Sequence, residues 1–233
     1  MFFEPDTFEL TPMDKNAGTL LSSFTELKQR KPGLETWVSV GGWSSNDRMD
    51  MDWEYPTAND RGGGPEDKSN FVLLSKDIKE AFSEKAYDYP LRLPASYWHL
   101  QHFDLAKLQP YVDWFNLMSY DLHGTWDAAS KFGGPYLATH TNLTGIGLGL
   151  DLPWRAGVKP ENVVLGQGYE LYGRSFTLTD PNCNKPNGIC QFSGGAKPGR
   201  CSRASSILNL QEIFDIIDDK DLKPAHDKKA GVK

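Results

Sequence analysis

The sequence predicts an α/β protein in which short buried strands alternate with amphipathic helices. Two observations favour this class. Short apolar runs alternate along the chain with segments whose apolar residues recur at helical spacing. Polar residues follow several of these runs, as they do at the carboxyl ends of the strands in a parallel (β/α) barrel. We therefore expect a barrel of this kind.

The first predicted helix is followed by the first predicted strand. The apolar pattern of the helix stops at the Lys-Pro-Gly of residues 31–33, which is a typical helix end. A buried strand is then predicted over residues 36–40, and it ends at two glycines. The apolar residues of the helix are Leu20, Leu21, Phe24 and Leu27.

Later parts of the chain continue this alternation. Further strands are predicted over residues 50–55, 91–93, 114–120 and 163–166. A helix is predicted between the first two of these strands, because four apolar residues fall on one helical face. They are Phe71, Leu74, Ile78 and Phe82.

The composition changes near Thr177. Glycine, proline, asparagine and serine dominate from there to about Ser206, and a helical pattern follows. We interpret this part as an inserted subdomain or an appended loop region rather than another barrel unit. The apolar residues of the last helical pattern are Ile207, Leu210, Ile213 and Ile217.

Charge and aromatic content favour a neutral ligand. The formal net charge of −6 argues against nucleic acid or an anionic membrane as a partner. The chain has 7 Trp, 9 Tyr and 12 Phe, which suits a carbohydrate site, although core packing accounts for most aromatic residues in proteins. No stretch is long and apolar enough to span a bilayer.

Three cysteines lie close together in the sequence. Cys183, Cys190 and Cys201 are not accompanied by a histidine cluster, so a zinc site is not expected. We expect one local disulfide and one remaining thiol, with the pairing left open. The disulfide and the Asn-Leu-Thr glycosylation sequon at Asn142 favour secretion. The N-terminus has no signal peptide, so either the protein is cytosolic or its true start is missing.

Three acidic residues alternate with two apolar ones in the run over residues 50–55. Side chains alternate along a strand, so Asp50, Asp52 and Glu54 share one face. Met51 and Trp53 then face outward, under the surrounding helices. Three confined carboxylates cannot all ionise cheaply, so one keeps a proton near neutral pH. The acid nearest the end of the strand, Glu54, is the expected general acid.

Two other interpretations of this run stay open on spacing alone. An acidic strand can bind a hard cation such as Mg²⁺ or Ca²⁺. It can also be the solvated face of a half-buried edge strand.

Five segments in order resemble motifs of the family 18 chitinases, in particular the fungal class V, killer-toxin-like subgroup. Residues 50–56, Asp-Met-Asp-Trp-Glu-Tyr-Pro, resemble the DxDxE signature. Residues 39–43 resemble the SxGGW segment, and residues 118–127 resemble the MxYD motif with its fungal extension. Residues 93–98 and 172–176 are similar to two further family segments.

The resemblance implies hydrolysis of chitin, the β-1,4-linked polymer of N-acetylglucosamine, by a substrate-assisted retaining mechanism without a cofactor or metal. Glu54 would protonate the leaving oxygen while the substrate's own acetamide attacks the anomeric carbon. Asp52 would hold the acetamide nitrogen, Asp50 would share a proton with Asp52, and Tyr120 would donate to the acetamide oxygen. The alternative is a lectin-like protein that binds chitin oligosaccharides without turnover; the intact Glu54 favours the enzyme.

The resemblance also implies a set of sugar-binding residues and a cellular context. The expected partner is chitin or a chitooligosaccharide, with no nucleic acid and no membrane, and the full-length protein is expected to be a secreted monomer. Packing in the barrel core remains an alternative role for each aromatic residue. The expected sugar contacts are Gly42, Trp43, Tyr55, Met118, Asp121, Trp126, Tyr172 and Arg174.

The sequence departs from the family in ways that predict an incomplete (β/α)8 TIM barrel. Only six residues separate Trp43 from Asp50, which is too few for the crossover helix that joins two parallel strands. We expect residues 1–176 to form a partial barrel and residues 177–233 part of the family's inserted α+β subdomain. The chain is expected to be truncated and internally deleted, and an open barrel exposes strand edges and apolar surface that favour aggregation.

Overall fold

The chain forms two compact units. The structure is a computed structural model that describes residues 2–3, 10–11, 17–34, 52–59, 62–84, 86–130, 133–166, 171–228 and 230–232. Unit 1 comprises Met1–Leu93, Trp98–Asn116 and Ala156–Val164, and unit 2 comprises Pro94–Tyr97, Leu117–Arg155 and Leu165–Lys233.

Unit 1 combines helices with short strands. The antiparallel pair β1 and β2 consists of Phe2–Phe3 and Leu10–Thr11. The helices are α1 (Ala17–Arg30), α2 (Asp67–Ser83), most of α3 (Tyr97–Leu100) and α4 (Leu105–Leu108), with 3₁₀ turns at Gln109–Tyr111 and Pro160–Asn162.

Both helices predicted in this unit are confirmed. α1 ends just before the predicted stop at residues 31–33, although Leu20 and Phe24 on its apolar face are exposed. On α2, Phe71 is 1% exposed, and the hydroxyl of the fully buried Ser75 lies 3.1 Å from the hydroxyl of Tyr89. The predicted apolar face of α2 therefore packs into the core, with a buried polar pair beside it.

Three strands form one sheet in the order β3, β4, β6. They are β3 (Pro90–Pro94), β4 (Trp114–Met118) and β6 (Val163–Gly166), so the strands predicted over residues 91–93, 114–120 and 163–166 are confirmed, although β4 ends two residues early. Alternation along β3 buries Leu91 and Leu93 completely and leaves Arg92 between them half-buried.

The predicted carboxylate strand is shorter than expected. Within its described part, residues 52–55, Asp52 forms an isolated bridge and the following residues have no strand pairing. Beyond these residues the strand cannot continue, because Pro56 has no backbone N–H to donate and Thr57 has a φ of 61°. The strand predicted over residues 36–40 lies outside the described residues.

Unit 2 has mostly antiparallel strands. β5 (Tyr136–Ala138) and β8 (Phe176–Leu178) flank β9 (Asn187–Gly195), and β7 (Tyr172–Arg174) pairs with β10 (Ile207–Asn209). The helices are α5 (Leu143–Arg155) and α6 (Leu210–Asp219), with a 3₁₀ turn at Thr125–Ala129. No helix among the described residues combines the length and apolarity needed to cross a membrane.

The last helical pattern begins three residues later than predicted. Ile207 lies in β10, and α6 begins at Leu210 because Asn209 caps it. The Asn209 side chain accepts from the backbone N–H of Glu212, and the Glu212 carboxylate accepts from the backbone N–H of Asn209, both at 2.9 Å. This reciprocal capping box fixes the start of the helix.

The expected local disulfide is present. Cys183 and Cys190 are bonded, and Cys201 is an exposed free thiol. The bond closes the loop that leads from β8 into β9, where Cys190 is buried.

Candidate active site

Asp52, the carboxylate predicted to hold a substrate's acetamide, is buried in unit 1. Asp52 is 4% exposed, and its Oδ2 atom accepts a hydrogen bond of 2.5 Å from Nη1 of Arg92. Burial raises the pKa of the Asp52 carboxyl, while the charge and hydrogen bond of Arg92 act in the opposite direction. Asp52 thus combines desolvation with a cationic partner, as expected of a functional carboxylate.

Trp53 and Tyr55, on either side of Glu54 in the chain, pack against aromatic rings of unit 1. The Trp53 ring meets the Phe71 ring of α2 edge-on, with centroids 5.2 Å apart. This agrees with the prediction that Trp53 points under a helix. Tyr55 stacks on His99 of α3 at 4.0 Å, and Glu54 is half-buried between these two aromatic residues in the chain.

The backbone that leads to Tyr120 is held by a buried serine in unit 2. Ser119 follows β4 and is fully buried; its N–H and hydroxyl both donate to the carbonyl of Gly166, at 3.0 and 2.8 Å. The Thr141 hydroxyl donates to the Ser119 carbonyl at 2.9 Å. These bonds fix the segment that carries Tyr120 and Asp121.

Asp121 is the centre of a charged cluster in unit 2. Its Oδ1 atom accepts hydrogen bonds from the Tyr172 hydroxyl and from Nε of Arg174, both at 2.9 Å, and Nη2 of Arg174 lies 2.6 Å from it. The Arg174 side chain is 12% exposed, so this charge depends on Asp121 for compensation. Asp121 has a φ of 52°, a left-handed conformation that Asp tolerates better than most residues.

Aromatic rings surround the Arg174 guanidinium. Its central carbon lies 4.7 Å from the centroid of Trp126 and 5.4 Å from that of Tyr172. His140 stacks on Tyr172 at 5.3 Å, with its Nδ1 atom 3.7 Å from Asp121 Oδ1. Burial lowers the pKa of His140, the Asp121 charge opposes this effect and the Arg174 charge adds to it.

Strand β7 places Tyr172 and Arg174 on the same face. Residues two apart in a strand point the same way, and Gly173 between them points to the other side. There a side chain at Gly173 would meet Ile213 of α6 at 3.0 Å. β7 pairs with β10, with Tyr172 opposite the helix cap Asn209. α6 and its cap therefore support the cluster from behind.

The predicted site residues fall into three groups. Asp52, Glu54 and Tyr55 lie in unit 1, and Gly42, Trp43 and Asp50 lie outside the described residues. The remaining six lie in unit 2. Arg174 contacts Asp121, Trp126 and Tyr172, while Met118 ends β4 and Tyr120 follows it.

Sequence reasoning missed three residues that contact predicted site residues: Arg92, His99 and His140. Arg92 interrupts an apolar strand, and His140 follows the end of β5. A polar residue inside an apolar run, or just after one, was therefore the signal that could have found them. Within the described residues, no group of three or more His, Cys, Asp or Glu is placed to hold a metal ion.

The sequence family is decided by a match over most of the chain. The family described as Glycosyl hydrolases family 18 matches residues 44–233. The chain belongs to glycosyl hydrolase family 18.

Fungal relatives of this family 18 chain are named as chitinases. It is 35% identical over 182 residues to the probable chitinase LysM11 of Penicillium expansum, covering 72% of this chain and 16% of that protein. It is 34% identical over 187 residues to the secreted chitinase LysM12 of the same organism, covering 74% of this chain and 12% of that protein. The chain thus spans less than a fifth of the length of either relative.

A solved structure shares the fold of the family 18 chain. The group IV chitinase of Ostrinia furnacalis superposes with a TM-score of 0.79 at 22% identity, covering 99% of this chain and 72% of that one. The mixed α/β architecture is therefore that of a family 18 chitinase structure.

Proposed function

We propose that this chain carries the catalytic residues of a chitinase, which cleaves the β-1,4 bonds between N-acetylglucosamine units with retention of configuration. The observation that carries the proposal is the buried Asp52 carboxylate, 4% exposed, two residues before the carboxyl group of Glu54 in a chain of family 18. We propose that the substrate's own acetamide takes the place of a carboxylate nucleophile, as in substrate-assisted hydrolysis.

In the first step, Glu54 gives its proton to the glycosidic oxygen and the bond to the anomeric carbon breaks. The acetamide oxygen of the same sugar forms a bond to that carbon, which produces an oxazolinium-like intermediate. The Asp52 carboxylate accepts from the acetamide N–H and stabilises the positive charge, and the Tyr120 hydroxyl donates to the acetamide oxygen. Asp50 shares a proton with Asp52.

In the second step, a water molecule replaces the acetamide oxygen at the anomeric carbon. Glu54, now a carboxylate, accepts the proton of the attacking water and returns to its acid form. The two displacements restore the original configuration, and no cofactor or metal enters the balance.

The cluster around Asp121 is suited to bind sugar. Trp126 is 46% exposed and offers an aromatic face, while the Asp121 side chain is 35% exposed and offers oxygen acceptors to hydroxyl groups. Arg174 and Tyr172 hold Asp121 in place. Gly42, Trp43, Tyr55 and Met118 complete the proposed set of sugar contacts.

We propose that residues 1–176 of this chain form an incomplete (β/α)8 barrel and that residues 177–233 form part of an inserted α+β subdomain. We assign the protein to the outside of the cell as a monomer that binds neither nucleic acid nor membrane. The disulfide between Cys183 and Cys190 supports secretion, because such bonds persist in oxidising compartments, and one relative is named as a secreted chitinase.

Hydrolysis of a fluorogenic N-acetylchitooligosaccharide by the chain and by Glu54→Gln tests the proposal. Glu54→Gln should lose at least about 100-fold in kcat, because a general acid contributes roughly 10²–10⁴-fold. Glu161→Gln, the same change at an exposed residue, is the matched control and should retain activity. Equal rates for the chain and Glu54→Gln would reject the assignment of the acid. Binding of the oligosaccharide without turnover would instead indicate a lectin-like protein.

A further inference from the structure

The two oxygens of Asp52 have different surroundings. Oδ2 accepts a hydrogen bond from Arg92. Oδ1 is buried and accepts no hydrogen bond from the described residues. A buried carboxylate oxygen is costly to leave without a donor, so this atom is suited to receive one from a ligand.

Arg92 reaches Asp52 from the middle of strand β3. Its neighbours Leu91 and Leu93 are fully buried on the opposite face of the strand. The Arg92 side chain is 39% exposed, so its guanidinium meets the carboxylate without being fully desolvated. The desolvation cost of this ion pair is therefore lower than that of a fully buried pair.

We propose that Arg92 is a positioning residue for the hydrolysis: its guanidinium holds Oδ2 of Asp52 and so presents Oδ1 as the acceptor for the acetamide N–H of the substrate. This role rests on the proposed chitinase function. Arg92 itself contacts neither the substrate nor the reacting atoms in this scheme. It acts through Asp52.

Arg92 also keeps Asp52 in the form that can accept a hydrogen bond. Burial favours the neutral carboxyl and raises its pKa, and Arg92 offsets part of that rise. Among the described residues, Arg92 from β3 is the charged group found to act on Asp52, Glu54 lies two positions along its own segment, and Asp50 lies outside the described residues. Without Arg92 the pKa of Asp52 rises further, so the carboxylate is lost at a higher pH.

Arg92→Gln, Arg92→Lys and the unchanged chain test this role through two separate measurements. Selectively labelled aspartate ¹³C NMR follows the carboxyl of Asp52, which is assigned as the resonance missing from Asp52→Asn. The pH dependence of kcat, or of chitotetraose affinity, follows the function. Arg155→Gln, which removes an exposed arginine at the end of α5, is the charge-matched control.

In Arg92→Gln, the Asp52 titration and the acidic limb of kcat should both move to higher pH by about one unit or more, which is the lower end of the effect of an adjacent opposite charge. Arg92→Lys, which keeps the positive charge, should show only a small part of this shift, and Arg155→Gln should show none. An unmoved Asp52 resonance overturns the proposal. A moved resonance with an unmoved limb also overturns it, because Arg92 is then only a structural partner.

The failure of the proposed function gives a different pattern. If the unchanged chain neither binds nor hydrolyses chitotetraose, the chitinase assignment fails and the positioning role fails with it. The Asp52 resonance would still move in Arg92→Gln. This result would therefore differ from the absence of an Arg92–Asp52 ion pair, in which the resonance does not move.

Discussion

Replacing Asp121 with asparagine removes the charge that compensates Arg174 while keeping the size of the side chain. Asparagine also tolerates the positive φ of 52° at this position, so the backbone is not a second variable. Oδ1 of Asp121 accepts hydrogen bonds from the Tyr172 hydroxyl and from Nε of Arg174, both at 2.9 Å, and Nη2 of Arg174 lies 2.6 Å away. The substitution therefore tests whether charge holds this cluster together.

The expected loss in the free energy of unfolding is about 2 kcal/mol. A hydrogen bond to a charged group contributes about 1.5–3 kcal/mol, and breaking a buried pair also leaves the partner charge uncompensated. Arg174 is 12% exposed, which favours a large effect, but Asp121 is 35% exposed and water offsets part of the loss. Urea unfolding at neutral pH measures it.

Asp104→Asn is the matched control. Asp104 pairs with Lys107 at 2.9 Å, but the lysine side chain is 73% exposed, so the loss should stay below about 1 kcal/mol. Asparagine can still cap α4, which begins after Asp104. Equal losses for Asp121→Asn and Asp104→Asn would refute the reasoning that the Asp121 charge holds the cluster. In Asp121→Asn the pKa of His140 should also fall, because Asp121 opposes the effect of burial.

Two further substitutions test the structure that supports the candidate site residues, one in the core of unit 1 and one at the cap of α6. Phe71→Ala should lower the free energy of unfolding in urea by about 3–5 kcal/mol, because Phe71 is 1% exposed and contacts the rings of Trp53 and Phe103. Leu73 is 60% exposed, so the control Leu73→Ala should lower it only slightly. A similar effect of both changes would contradict the assignment of the core. Glu212 accepts from three backbone N–H groups, which lower its pKa to about 2. The stability advantage of the chain over Glu212→Gln should be complete above its ordinary pKa near 4.5 and should shrink as the pH falls towards 2; an advantage that does not change with pH would reject this role.

Local sequence signals were sufficient for the helices α1, α2 and α6 and for the strands β3, β4 and β6. β6 covers the predicted residues 163–166, and α2 contains the whole predicted apolar face, because hydrophobic periodicity and turn residues act over a few neighbouring positions. Ile207 shows the limit of this reasoning. It continued the helical pattern, but pairing with Arg174 across β7 and β10 placed it in a strand. A partner distant in the sequence overrode the local period.

The residue types of the site were also predictable, but their partners were not. Alternation correctly placed Trp53 on the side facing a helix, and ordered motifs selected Asp121, Tyr172 and Arg174. Nothing in the sequence linked Asp52 to Arg92, forty positions later, or His140 to Tyr172. Both contacts arise where separate strands or loops meet.

By itself, the sequence determined the family and the α/β class and predicted Glu54 as the acid, because motif spacing and side-chain period are properties of the covalent chain. Only the tertiary structure decided which charges compensate each other. Burial of Asp52 at 4% exposure and of Arg174 at 12% depends on what packs around them. The pKa of a carboxyl and the orientation of its oxygens follow from desolvation and neighbouring charge, and these exist only once distant segments have come together.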